Sequence, residues 1–176
     1  MRLGDLGDRI CVLGPSGSGK STLAAAIGRK RDLPVTHLDQ SRHRAGSQWE
    51  LRPDDEFAEL HDTAIATERW VIDGNYSMLL PQRIARATGL ILLDIHTAKS
   101  LMRYLWRTFR SDQRVGGLEG TKDVFSWNMI QYILVYGASN GKRRREMFDQ
   151  LNLPKILLAG PSSVRNFYRQ EGLRRP

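Results

Sequence analysis

Five short apolar runs punctuate the chain, and the longer stretches between them carry apolar residues at every third or fourth position. The runs are Arg9–Leu13, Val35–Leu38, Trp70–Asp73, Leu90–Asp94 and Lys155–Ala159. Each is rich in Val, Ile and Leu without polar alternation, which predicts strands buried on both faces of a parallel sheet. Helices are predicted over Lys20–Lys30, Asp54–Arg69, Thr97–Arg110 and Ser163–Gln170. In the second of these, Phe57, Leu60, Ala64 and Ile65 fall at helical spacing. Strands alternating with helices predict a three-layer α/β fold with right-handed crossovers.

The rhythm breaks between Ser111 and Asp149, where no strand pattern occurs. Gly116, Gly117 and Gly120 predict a connection projecting from the sheet, a lid over approximately residues 110–122. Val124–Tyr136, with Phe125, Trp127, Ile130, Ile133 and Leu134, predicts a packing helix. The Lys142–Arg145 run reads as a solvated surface turn.

A length of 176 residues, 40% hydrophobic and 26% charged, suits one globular domain over 1–176 and excludes a disordered chain. No apolar run approaches the roughly 20 residues that cross a bilayer. With no targeting segment read at the N-terminus, a cytoplasmic home is expected. The single cysteine, Cys11, lies in an apolar strand and reads as a small buried hydrophobe, leaving no intrachain disulfide. A net charge of +8 points to an anionic partner, either a small-molecule substrate or nucleic acid.

Chemistry enters first at Gly14-Pro15-Ser16-Gly17-Ser18-Gly19-Lys20-Ser21, which matches G-x-x-x-x-G-K-[ST] and runs on into Thr22. Glycines let the backbone curl until successive N–H groups face a phosphate, and the following helix adds its positive end. Lys20 suits the β- and γ-phosphates, and the Ser21 hydroxyl suits Mg²⁺. An apolar strand before the loop and an Ala-rich helix after it supply the context such a loop needs. ATP and Mg²⁺ are the expected cofactors.

Ligands in open α/β sheets sit beyond the carboxyl ends of the strands. Asp39, Asp73 and Asp94 occupy such ends. Asp39 and Asp73 are candidates to hold Mg²⁺ or to accept the proton of an attacking hydroxyl, whereas Asp94 reads as a cap for the helix beginning at Thr97. Asn75 and Tyr76 are placed to hydrogen-bond a ligand, and Trp49 could line an acceptor pocket. Arg103 and Arg107 stand four apart on one helical face, with Arg110 next, leading into the glycine-hinged segment. Guanidinium groups there would clamp the charge of a transferring phosphoryl group. His37, His43, His61 and His96 have no metal-like spacing and receive no ligand role.

The segments "RICVLGPSGSGKSTLA", "LPVTHLD", "RWVIDGNYS" and "LILLDIHTAKSLMRYLWRTFR" resemble the bacterial P-loop topology modulation proteins, or adenylate-kinase-like ATPases. That group is similar to nucleoside monophosphate kinases and to the shikimate and gluconate kinases. The resemblance implies a five-stranded parallel sheet in the order 2-3-1-4-5 with a lid after the fourth strand. It implies an acceptor-side or Mg²⁺-linked role for Asp39, and the "DG" carboxylate role for Asp73. Arg103 and Arg107 would match paired lid arginines, and "AGPSS" (159–163) would pack the adenine. Ser77 stands where adenylate kinases carry an acceptor-gripping arginine, so Arg42, Arg44 or Arg83 would have to substitute. The leading expectation is a kinase passing the ATP γ-phosphate to a small molecule or nucleotide. The alternatives are a nucleic-acid-associated ATPase and a regulatory ATP-binding protein.

Overall fold

The structure, a computed structural model, describes residues 1–44, 46–47, 50–95 and 141–176. Its elements run β1 (Arg9–Leu13), α1 (Lys20–Arg31), β2 (Val35–His37), α2 (Leu38–Arg42), α3 (Asp54–Ala66), β3 (Trp70–Asp73), α4 (Leu80–Arg86) and β4 (Gly89–Asp94). A helix over 141–150 (α5), β5 (Lys155–Ala159) and α6 (Gly160–Gln170) follow. The expected helix over Thr97–Arg110, the lid and the packing helix over Val124–Tyr136 lie outside the described residues.

The five strands form one parallel sheet in the order β2-β3-β1-β4-β5. Its strands alternate two sets of core residues because successive side chains point to opposite faces. Ile10, Val12, Val71, Ile91 and Leu93 join Leu23, Ile27 and Phe167 from α1 and α6. Cys11, Leu13, Ile72, Leu90 and Leu92 join Phe57, Ile65 and Phe148 from α3 and α5. Helices therefore cover both faces, and the uninterrupted apolar runs follow from that double burial.

Several boundaries differ from the sequence expectation. β2 stops at His37 because Leu38 opens the short helix α2, and α3 stops at Ala66. The acidic first turn of α3, Asp54, Asp55 and Glu56, complements its positive end. The Lys142–Arg145 run is helical rather than a turn, and its pairs Lys142–Glu146 and Arg145–Asp149 have the (i, i+4) spacing of a helix surface. Segment 159–163 is the end of β5 and the first turn of α6, with Pro161 in that turn, where its missing N–H costs nothing.

Candidate functional site

The loop from Gly14 to Gly19 links β1 to α1, and its shape depends on glycine at two of its positions. Gly17 and Gly19 take φ of 73° and 92°, which L side chains rarely adopt. At Gly14 a Cβ would stand 2.9 Å from both the Leu93 carbonyl oxygen and Ser18 Oγ. The loop delivers Lys20 and Ser21, each 7% exposed, at the start of α1. Among the described residues no hydrogen bond or ion pair holds Lys20 Nζ.

Ser21 Oγ donates to Asp73 Oδ2 at 2.6 Å, a buried contact joining the N-terminus of α1 to the C-terminal end of β3. The other oxygen of Asp73 is taken by His37. Parallel pairing puts His37 beside Asp73, and His37 Nδ1 meets Asp73 Oδ1. With Asp73 ionised, that nitrogen carries the hydrogen. Sequence reasoning gave His37 no role, and the strand register was the signal that could have found it.

Asp39 sits in the first turn of α2, and the Tyr76 hydroxyl donates to its Oδ1 at 2.9 Å. The Tyr76 ring packs edge-on against Phe57, with centroids 5.0 Å apart. Asn75 bonds Gly14 through both ends of its carboxamide. Asn75 and Tyr76, expected to reach a ligand, thus bond within the protein. Asp94 pairs with Arg145 at 3.6 Å, and the helix it was expected to cap lies outside the described residues.

The arginines considered for an acceptor phosphate have partners within the protein. Arg42 pairs with Asp54 at 2.7 Å and covers the Phe57 ring. Arg44 lies within ion-pair reach of Glu50 and Glu56. Arg83 is fully buried, and its Nη2 donates to the carbonyls of Gly74 and Asn75 at 2.9 and 3.0 Å. Burial lowers the Arg83 pKa from its ordinary value, opposed by Cys11 and Asp73 nearby. Burial likewise pushes the Cys11 thiol up to about 11 against the pull of Arg83. Arg103, Arg107, Arg110 and Trp49 lie outside the described residues.

The donor set can be tested against the expected ion. Among the described residues no group of three or more His, Cys, Asp or Glu side chains forms a metal cage. Mg²⁺ needs none, being held by one or two protein oxygens together with substrate phosphates and water. The Ser21–Asp73 hydroxyl–carboxylate pair beside a backbone cradle fits that requirement.

No protein-family model and no curated protein matches the chain. Solved structures do. A shikimate kinase from Bacteroides thetaiotaomicron superposes with a TM-score of 0.51 at 19% identity, over 94% of this chain and 99% of that one. A gluconokinase from Sinorhizobium meliloti 1021 gives 0.51 at 16% identity, over 98% and 94%. A sugar kinase from Janibacter sp. HTCC2649 gives 0.50 at 14% identity, over 93% and 92%. Among the described residues no helix is long and apolar enough to cross a membrane. The sheet order and these likenesses agree that the chain has a three-layer α/β fold like that of the shikimate kinase and the gluconokinase.

Proposed function

We propose that the protein is an ATP-dependent phosphotransferase that passes the γ-phosphate to a small-molecule or nucleotide acceptor. The observation that carries this reading is the 2.6 Å bond from Ser21 to Asp73 at the foot of a glycine-shaped loop. The kinase fold supports it.

In this reading the backbone from Gly14 to Ser21, with Pro15, Ser16, Gly17, Ser18 and Gly19 between, and on to Thr22, encloses the outer phosphates. Lys20 brings its charge to the β- and γ-oxygens. Ser21 and Asp73 would hold Mg²⁺, which when bound neutralises charge on the phosphates. Asp73 is 2% exposed with both oxygens engaged, so it is poorly placed to take a proton from an acceptor. Asp39 is more accessible and oriented by Tyr76, which suits it to the acceptor hydroxyl. Arg103 and Arg107 are assigned to the transferring phosphoryl group on sequence grounds, and 159–163 to the adenine.

A coupled ADP-release assay tests the proposal across nucleoside monophosphates, nucleosides, sugar acids and shikimate-like alcohols. Acceptor-stimulated turnover that Lys20→Met abolishes is the expected result. A folded protein that binds Mg²⁺-ATP yet turns over with no member of the panel would count heavily against phosphotransfer.

A further inference from the structure

The turn after β3 makes contacts that the proposed chemistry does not itself require. Asn75 Oδ1 accepts from the Gly14 N–H at 3.2 Å, and Asn75 Nδ2 donates to the Gly14 carbonyl at 2.9 Å. One carboxamide thus pairs with both backbone groups of one residue, as an adjacent strand would. Gly14 is walled on its other side by Leu93, leaving no room for a Cβ. The first residue of the phosphate loop is therefore pinned from two directions.

Asn75 is itself held from beneath. Arg83 donates from one guanidinium nitrogen to the carbonyls of both Gly74 and Asn75. Burying an arginine is costly unless the charge is compensated, and Arg83 forms no salt bridge among the described residues. Because both bonds leave the same nitrogen, Arg83 ties two consecutive carbonyls to one point.

We infer that Asn75 is a positioning residue for the phosphate loop, with Arg83 setting the backbone from which its carboxamide reaches Gly14. This rests on the proposed reading that the loop takes a nucleotide. Holding a binding loop in its bound conformation raises affinity by removing an ordering cost at the moment of binding.

Calorimetry with Mg²⁺-ATP on the full chain tests the inference, with ligand-free melting recorded in parallel. Asn75→Ala is compared with wild type and with Ile65→Ala, a core substitution in α3 away from the site. Asn75→Ala is expected to weaken the Kd about tenfold, in keeping with two hydrogen bonds lost. Ile65→Ala is expected to melt lower but keep the wild-type Kd. Should the alanine variant fold poorly, the near-isosteric Asn75→Asp takes its place. It keeps an acceptor for the Gly14 N–H but repels the Gly14 carbonyl, so its Kd should also weaken. A wild-type Kd in whichever Asn75 variant folds, or an equal loss of affinity in Ile65→Ala, overturns the inference alone. A wild-type protein with no heat of Mg²⁺-ATP binding overturns the proposed function and this inference together.

Discussion

Ser21 and Asp73 meet through a 2.6 Å hydrogen bond although 52 positions separate them in the chain. The contact joins a hydroxyl to an acceptor-only carboxylate in a nearly dry setting, where a lost charge is felt strongly. Asp73→Asn keeps the shape and removes the charge. ATP turnover is expected to fall roughly 10²-fold or more, the scale seen when a preorganised charge-stabilising group is lost. Ser21→Ala should fall similarly and Ser21→Thr should recover most of the activity, because threonine keeps the hydroxyl. Steady-state kinetics on the three variants would check this, and an active Asp73→Asn would contradict it.

Gly28 lies inside α1, where alanine is ordinarily the better helix former by about 1 kcal/mol. Here a Cβ would meet Val35 Cγ2 at 2.2 Å and the Leu33 carbonyl oxygen at 2.9 Å. Overpacking of this kind outweighs propensity, and Gly28→Ala should destabilise by about 1–2 kcal/mol. Urea denaturation measures it; a stabilised variant would mean that β2 shifts without cost.

Cys11 gives a chemical readout of the sheet's interior. Burial pushes its thiol up to about 11, so the group stays neutral and enclosed at ordinary pH. Native protein should resist a thiol reagent such as DTNB that reacts at once after denaturation. The linkage has a definite sign. Between its ordinary value of 9.0 and about 11 the unfolded chain releases the proton and the folded chain keeps it, so stability should fall as pH rises there. Comparison with Cys11→Ala isolates that slope.

His61 titrates in the opposite sense. Its ring is fully buried in α3, and burial lowers its pKa from the ordinary 6.5, with the Arg83 charge acting in the same direction and the Asp62 hydrogen bond opposing. Below that value the unfolded chain gains a proton that the folded chain resists, so stability should drop on acidification. Melting temperatures from pH 7 down to about 5 should fall more steeply in wild type than in His61→Gln. Parallel curves would remove His61 as the cause.

Much of this architecture was legible because double burial writes itself into sequence as unbroken apolar runs, as at Cys11–Leu13 and Leu90–Leu93. The phosphate loop was legible because its backbone shape restricts residue choice at Gly17 and Gly19. α4 was missed because a seven-residue helix with a proline in its first turn is too short to establish a period. Arg83 suits an acceptor phosphate when only the sequence is read, because arginine is rarely fully buried and nothing local reveals that Gly74 and Asn75 need a donor. His37 became a partner of Asp73 only through the pairing of two strands far apart in sequence. Side chains that act through a distant backbone leave little local signature.

The division of the strands between two apolar clusters has a practical corollary. Cys11 and Val12 are covalent neighbours, yet each finds its packing partners in a different half of the interior. Substitutions deep in the two halves, such as Phe57 on one side of the sheet and Phe167 on the other, should combine almost additively, as changes at distant sites without shared partners do. Either half could then be redesigned while the other is left as it stands.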